Sequence, residues 1–558
     1  MEEKIFLERK INESDFNSLC KENVPPFIAR LMASRGIKTK DEMVPSVSKI
    51  PMPDFLPDID KISDLLSSAI MSRQHIRIMG DYDADGVCST VLCYNALKQM
   101  GAIVSWDIPS RVRHGYGLHV DMVDQAKKEQ VDLIITVDNG ISAIPAIEHA
   151  KKLGMTVCVT DHHLPSGDLP DADCIVNPKL EDDNIGTNLS GTGIAFYVMG
   201  ALNRKLGLDI KMSQFLDLVA IATVADCMPM DSLNRSLVGA GLARLKRGAS
   251  QGLSSIMCRL KDPISCQSIG FFIAPQINAT GRFDKTAIAV NCLLSDNVTE
   301  AIDFADQLYD INEKRKKIIS EMIEQAESKI DESSTSIVIG DKLWNPGLCG
   351  ILAGRLAQKY NRPALVFGKI ENEWRGSGRA PAEWNLHEII INVHEKCGKE
   401  IMPKFGGHHR AIGASVNDLK AFRKYFEKEC INHEIDESAL LQPIDKLPKM
   451  SEITNEAVLS MNDLVWGEGV PSPKFGGNFN ISNVIPISDG KHLRMQISKG
   501  DFSVSAVLFN HSKIKDKENI VFSLGYNSYS KNVTAIIDKV IEEKQNEKKK
   551  ENFDDLSR

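Results

Sequence analysis

Paired cysteines are missing from this chain. It has 12 cysteines in 558 residues, scattered from Cys20 to Cys430, and no two form a C-x-x-C pair. That spacing speaks against a zinc ribbon, a thioredoxin-type redox motif and a disulfide scaffold, and leaves inert thiols in a reducing compartment. Aromatic residues are scarce, at 6%, which speaks against long stacking platforms. Positive charge is not in excess: 67 Lys and Arg against 75 Asp and Glu give a formal net charge of −8. A uniformly basic nucleic-acid binder is excluded, so any polyanion must be met by local positive charge. No apolar run approaches the ~18 residues that span a bilayer, so no membrane partner is expected. The opening MEEKIF is acidic and lacks the basic-then-apolar order of a signal peptide, so a cytoplasmic location is expected.

What is present is ordinary globular material. Apolar residues make up 42% and charged residues 25%, enough for several cores, and the length suggests about three or four domains. Residues 1–60 are mixed and punctuated by Pro25, Pro26, Pro45, Pro51, Pro53 and Pro57; they read as a helical leader packing on the domain after it. From 61 to 297 apolar strands alternate with helices, through HIRIMG, AIVSWDI, DLIITV and MTVCVT. Alternation means βαβ units and a parallel sheet, and continuous apolar strands mean both faces are covered. The charged, helically spaced stretch over 298–334 reads as a connecting helix. Residues 335–432 read as a second, smaller α/β domain. Residues 450–540 alternate apolar and polar with turn signals, as in a small β-barrel, and 541–558 form a charged tail.

The chemistry concentrates just past the strands. Asp81, Asp83 and Asp85 stand in one turn, DYDADG, and form a hard-oxygen cluster suited to divalent cations. An EF-hand loop would need Glu at its twelfth position, and that position is Leu92. Asp138 and Asp161 also follow buried strands, and ligand sites of open parallel sheets lie beyond the strands' carboxyl ends. His162 and His163 follow Asp161, adjacent and pointing different ways: one suits a metal and the other a substrate phosphate. Asp226 ends the apolar run FLDLVAIATVA and fits as a further ligand. So many carboxylates would repel one another unless cations join them. Two ions about 3.5–4 Å apart would do so and would ready water for attack on phosphorus. Oxygen-rich ligation with one imidazole favours Mn²⁺ or Mg²⁺ over Zn²⁺. Four Gly-rich basic segments supply local positive charge: IPSRVRHGYGL with Arg111, Arg113 and His114, PQINATGRFD with Asn278 and Arg282, RGSGRA with Ser377 and Arg379, and KFGGHHRAIGAS with His408, His409 and Arg410.

DYDADG, VDNG, TDHH and VADCMP, in this order, resemble the four motifs of the DHH phosphoesterases, and GSGR and FGGHHRAIGAS resemble the DHH-associated domain. PPFIARLMASRGI, LSGTGIAFYV, PQINATGRFD, WNPGLCGILAGRL and GEGVPSPKF narrow the resemblance to the bacterial single-strand-specific exonucleases of that family. The resemblance implies a parallel-sheet DHH domain, a DHH-associated domain and an OB-like barrel. It implies a nuclease with two metal ions that removes 5′-mononucleotides from the 5′ end of single-stranded DNA in recombination and repair. By motif, Asp81 and Asp83 would hold one ion, Asp138 would bridge, and Asp85, His162 and Asp226 would complete the second site. His163 would lie beside the scissile phosphate. Ser377, Arg379 and His408 would touch substrate phosphates, and Arg111 and Arg282 would grip the 5′ end. Association with a single-strand-binding protein and a helicase is implied likewise; nothing suggests coiled-coil assembly, and a monomer is expected. Two departures stand out: Asn345 replaces the family's usual His, and GEGVPSP replaces a GxGNPxP pattern. The competing functions are a DHH phosphoesterase acting on short oligonucleotides or cyclic dinucleotides, more remotely a family-II pyrophosphatase, and a non-catalytic replication-fork scaffold. The barrel segment argues against the first two and the complete acidic set against the third.

Overall fold

The computed structural model describes residues 5–43, 48, 50–111, 113–165, 167–261, 263–371, 373–436, 441–527 and 530–541. Beyond Ile541 the expected charged tail lies outside them. Two compact units are present: one spans 45–440, and the other joins residues up to 44 with those from 441 onward.

The larger unit is built on two sheets. The first has five strands, β1 (His75–Met79), β2 (Ile103–Asp107), β3 (Leu133–Val137), β4 (Thr156–Thr160) and β5 (Cys174–Val176), all parallel, in the order β2-β1-β3-β4-β5. Every residue of β3 is buried, which is why its sequence is apolar without alternation. The strand order reverses between β1 and β3, and the crevice there is where such sheets receive ligands. Helix α1 (Ala84–Gln99) leaves β1 through the DYDADG turn. Asp83 is its N-cap, accepting from Asp85 N and Gly86 N at 3.1 Å each. Helices α2 (Gly191–Lys205) and α3 (Leu216–Ala225) pack on α1. The 30-residue helix α4 (Val298–Glu327) leads to the second sheet.

That sheet comprises β6 (Ile337–Asp341), β7 (Ala364–Ile370), β8 (Glu373–Arg379), β9 (Lys404–His408) and β10 (Ala411–Val416), ordered β9-β10-β8-β7-β6. Only β6 and β7 run parallel. RGSGR and KFGGH, noted in the sequence only as glycine-rich basic segments, are strands β8 and β9. Glycine weakens strand propensity, but pairing on both sides of β8 overrides it. Helix α5 (Pro346–Tyr360) packs against β7 and β8, and α6 (Leu419–Asn432) sets Phe422 and Phe426 into the other face with Val338 and Phe367.

In the smaller unit, strands β11 (Phe475–Ile487), β12 (His492–Lys499), β13 (Phe502–Phe509), β14 (Lys517–Asn527) and β15 (Asn532–Ile541) close into a barrel filled by Phe475, Phe479, Phe502 and Phe522. Of the expected leader over 1–60, residues up to 44 belong to this unit and 45–60 to the larger one, a division that sequence order does not reveal. Phe6–Glu8 pairs in parallel with Gln442–Ile444, and Phe27 stacks on Phe475 at 6.3 Å. Arg35 donates to both oxygens of Asp445 at 2.7 and 2.8 Å, and the two side chains are 1% and 2% exposed. Arg35 also donates to Pro471 O and Leu31 O, and Asp445 accepts from Lys474 N, so the buried charges are satisfied. All twelve cysteines are free thiols, most of them buried. Among the described residues no helix is long and apolar enough to cross a membrane.

Arg35→Met leaves Asp445 buried without its partner, a change that costs about 3–5 kcal/mol. Denaturant-dependent hydrogen exchange in the barrel strands is expected to read that loss; a change below about 1 kcal/mol would show that the pair adds nothing net.

Candidate active site

The crevice between β1 and β3 gathers the acids. Asp81 follows β1, and Asp138 follows β3 in a left-handed conformation (φ 62°). A non-glycine residue held there stores strain, which sites tolerate when the surroundings fix the geometry. Here they do: Asn139, fully buried, donates to Met79 O at 3.0 Å and Val137 O at 2.9 Å, tying the ends of the two strands together. Asp161, His162 and His163 follow β4. Asp226 caps the C-terminus of α3, where the helix dipole disfavours an anion, so it is no stabilising cap.

The side chains converge in overlapping sets. Asp81, Asp83 and Asp138 each bring an oxygen within 4.8 Å of the others; Asp85, His162 and Asp226, and likewise Asp138, His162 and His163, bring carboxylate oxygens and ring nitrogens equally close. His162 Nε2 lies 3.1 Å from Asp138 Oδ1, 3.6 Å from Asp226 Oδ2 and 3.8 Å from Asp85 Oδ2. Asp81 Oδ1, Asp138 Oδ1 and His162 Nε2 are buried without a hydrogen-bond partner. Orphaned buried acceptors aimed at one another are costly and fit a site for hard cations. Burial, then Asp83, pushes the Asp81 carboxyl well above the usual range. Burial and the surrounding Asp85, Asp83, Asp226 and Asp81 do the same to Asp138. Asp226 is pushed to about 8 by burial and by Asp85 and Asp83. Burial lowers His162 to about 4, so its imidazole is neutral, as a metal ligand must be.

Asp161 does not join the acidic sets. Its carboxylate is spent on Ile141 N at 2.9 Å, His162 N at 2.7 Å, and His163 N and Nδ1 at 3.0 and 2.8 Å. Burial pushes it up, but the bonds and charge of His163 hold it below the usual carboxylate range. Its work is to aim His163. Tyr116 shares it: the hydroxyl donates to Asp138 O at 2.7 Å and lies 2.8 Å from His163 Nδ1. Burial would lower His163, but its hydrogen bond to Asp161 and the nearby acids raise it. Nδ1 is engaged, so Nε2 is the ring nitrogen left to face outward.

Residues without charge hold this geometry. Gly191 N and Thr192 N, at the start of α2, each donate to Asp85 at 2.7 Å, and Thr192 Oγ1 donates at 2.6 Å. A Cβ on Gly191 would stand 2.5 Å from Asp138 Cβ, so only glycine lets this helix end approach. Asn278 Oδ1 accepts from Ala84 N at 2.8 Å in the DYDADG turn, and a Cβ on Gly281 would meet Tyr82 O at 2.3 Å.

The arginines form a second pole. Arg111 stacks on the Tyr82 ring at 4.7 Å. Arg282 donates to Gly347 O; burial and repulsion by Arg111, Arg315 and Arg379 lower it to about 9. Arg379 is lowered by burial and by Arg111. Ser377 and Arg379, two apart on β8, share a face, and a Cβ on Gly350 would lie 3.4 Å from Ser377 Oγ and 3.5 Å from Arg379 Nη2. Crowded cations of this kind fit an anion with several oxygens. His408 stands apart and exposed at the end of β9, two strands from Arg379 on one row (His408–Ala411–Arg379). His114 pairs with Asp121 at 2.8 Å instead. Asn345 is the N-cap of α5, accepting from Gly347 N at 2.8 Å.

The model of the DHH family N-terminal domain matches residues 75–223, that of the DHHA1 domain residues 332–432, and that of the RecJ OB domain residues 444–537. The single-stranded-DNA-specific exonuclease RecJ of Escherichia coli K12 is 31% identical, over 97% of this chain and 100% of its own length. The chain belongs to the RecJ family. The Salmonella typhimurium LT2 RecJ is 34% identical over 87% of this chain and 89% of its own. The crystal structure of Thermus thermophilus RecJ in complex with Mn²⁺ superimposes with a TM-score of 0.82 at 25% identity, covering 98% of this chain and 80% of that one. In this RecJ-family chain, sequence reading missed Tyr116, Thr192 and Arg315 as parts of the site. Tyr116 sits in a segment that drew notice for its glycines and basic residues, Thr192 in one that only narrowed the family resemblance, and Arg315 is hidden in the charged pattern of α4.

A carboxyl raised in the fold favours its protonated form. The stability this gives is complete below the unfolded value of about 3.9 and is lost as pH rises through the folded one, about 8 for Asp226. Cation binding at pH 7 therefore displaces protons. Calorimetry with Mn²⁺ in two buffers of different ionisation heat is expected to show release of about one proton or more, and the Mn²⁺-induced rise in melting temperature is expected to be larger at pH 8 than at pH 5.5. Identical heats in both buffers would reject the shared protonation.

Proposed function

We propose that this protein hydrolyses single-stranded DNA from its 5′ end, releasing 5′-mononucleotides in recombination and repair, with Mn²⁺ or Mg²⁺ in two positions. The observation that carries this reading is Asp138, shared by two overlapping ligand sets at the sheet's switch point. Asp81 and Asp83 would hold one ion, Asp85, His162 and Asp226 would complete the second site, and Asp138, grouped with Asp81 and Asp83 on one side and with His162 on the other, would serve both. When bound, such a pair neutralises the carboxylates, acidifies water and offsets the charge of a phosphoryl transition state. The exonuclease names of the relatives support single strands as the substrate class. The barrel matched by the RecJ OB domain model supports long strands over short oligonucleotides or cyclic dinucleotides.

The chain's own groups do the rest. Thr192 and the first amides of α2 fix Asp85, and Asn139 fixes the strand ends around Asp138. Asp161 keeps the proton on His163 Nδ1, so Nε2 faces the scissile phosphate and, when protonated, places a positive charge beside it. Arg111, Arg282, Arg379 and Ser377 grip the 5′ phosphate, and His408 touches a phosphate further along. We place the protein in the cytoplasm, working as a monomer with a single-strand-binding protein and a helicase.

Strands labelled at either end, incubated with and without Mn²⁺, test the reading. The first product is expected to be the 5′ mononucleotide, only with metal. Asp138→Ala is expected to lower turnover by at least about 10³-fold with an unchanged circular dichroism spectrum; near-normal turnover with added Mn²⁺ would reject the shared-ligand role.

Arg379→Ala and Arg282→Ala are each expected to lower kcat/KM for 5′-phosphorylated strands by about 10- to 100-fold, corresponding to loss of one charge-assisted contact. Strands ending in a 5′ hydroxyl are expected to change little. An equal loss on both ends would move the arginines away from the terminal phosphate.

A further inference from the structure

The second sheet of the larger unit ends on an open edge, remote in role from the metal and arginine poles. β6 pairs with β7 on one side and with no strand among the described residues on the other. Ile337 N donates to Pro363 O at 2.8 Å, so the amides and carbonyls of Ile337 and Ile339 point into the sheet. In a parallel pair the intervening residues then point out, which turns those of Val338 and Gly340 toward the edge. The amides just before them are already served: Thr335 N and Ser336 N donate to the Glu427 carboxylate at 2.6 and 3.0 Å.

A groove of about 530 Å³ runs along this edge, between the segment that follows α4 and helix α6. Its rim is basic. Arg423, Lys424 and Lys428 of α6 are exposed and line it, and none has an ion pair among the described residues. Two acids line it: Glu427 is committed to the strand's own amides, and the exposed Asp331 accepts from Ser333 N and Oγ. Ile431, one helical turn beyond Glu427, lines the groove and is 63% exposed. The outward amide and carbonyl of Val338, a residue only 4% exposed, line this concave strip with three cations that have no ion pair among the described residues and an exposed apolar side chain, and Gly340 continues the edge beyond the groove.

We propose that this edge receives an extended acidic segment of a partner protein, which adds to β6 as a further strand. The backbone of Val338 and Gly340 would bond the peptide's main chain, Arg423, Lys424 and Lys428 would select acidic side chains, and Ile431 would take an apolar one. A nucleic-acid backbone fits less well: its phosphates offer acceptors only and leave the outward carbonyls unanswered.

The test uses the full chain and a short labelled peptide of alternating Asp and Val. Fluorescence anisotropy is expected to show binding that falls about tenfold or more when Asn replaces Asp, and equally in the Arg423→Glu, Lys424→Glu, Lys428→Glu triple variant, with exonuclease turnover on short strands unchanged. Hydrogen exchange on the unmodified protein, which needs no variant, is expected to slow at the Val338 and Gly340 amides and to stay constant at Ile337 and Ile339. No binding, binding without slowing at those two amides, or full displacement of the peptide by oligothymidylate would each overturn the proposal.

Discussion

Five carboxylates and an imidazole on one sheet rim cannot all stay as bare charges. Asp81, Asp85 and Asp138 are almost fully buried, where like charges at a few ångströms repel strongly. Without cations the fold answers by keeping protons, which is why Asp81, Asp138 and Asp226 are all raised. The surrounding structure shows that protonation is not what the site is shaped for. Left-handed Asp138, the glycine at the head of α2 and the side chain of Asn139 bring these oxygens together at a cost in strain and close packing. A fold that only had to tolerate acids would let them spread into solvent. Asp161, held below the usual carboxylate range, has another task, holding His163.

The acidic pole was legible because its signal is local. Asp81, Asp83 and Asp85 lie in one turn, and a strand followed by Asp is readable wherever strands are continuous and apolar. What joins those strand ends, the order β2-β1-β3-β4-β5, is a property of the sheet and not of any one segment. Asp161 shows the limit of the reading: its position past β4 is the same as that of Asp138 past β3, and only hydrogen-bond partners separate a candidate ligand from a positioning residue. Thr192 and Tyr116 were hidden for the same reason, since their contacts reach residues 107 and 22 positions away. The strands RGSGR and KFGGH were hidden by composition: the glycines that suggest a loop lie in a sheet where neighbouring strands supply the order. The leader's grouping with the barrel rests on Arg35 and Asp445, 410 positions apart, a separation that no local pattern encodes.

The two poles of charge in the larger unit depend on each other through one short segment. Residues 274–282 place Asn278 on the backbone of the acidic turn and Gly281 against Tyr82, and end in Arg282 among the arginines. Tyr82 stands between Asp81 and Asp83 in sequence and carries Arg111 on its ring. Acids and arginines are thereby held near each other yet apart, with an aromatic face where an ion pair would otherwise cancel both. That separation matters chemically. Had Arg111 bonded directly to Asp81 or Asp83, neither would be open, the one to a cation and the other to an anion. Keeping opposite charges unpaired is unfavourable in the absence of ligands. On the proposed reading it would become favourable when a divalent cation and a phosphate arrive together, and the site would be complementary to the pair. The lowered Arg282 and the raised Asp138 are two faces of that single arrangement.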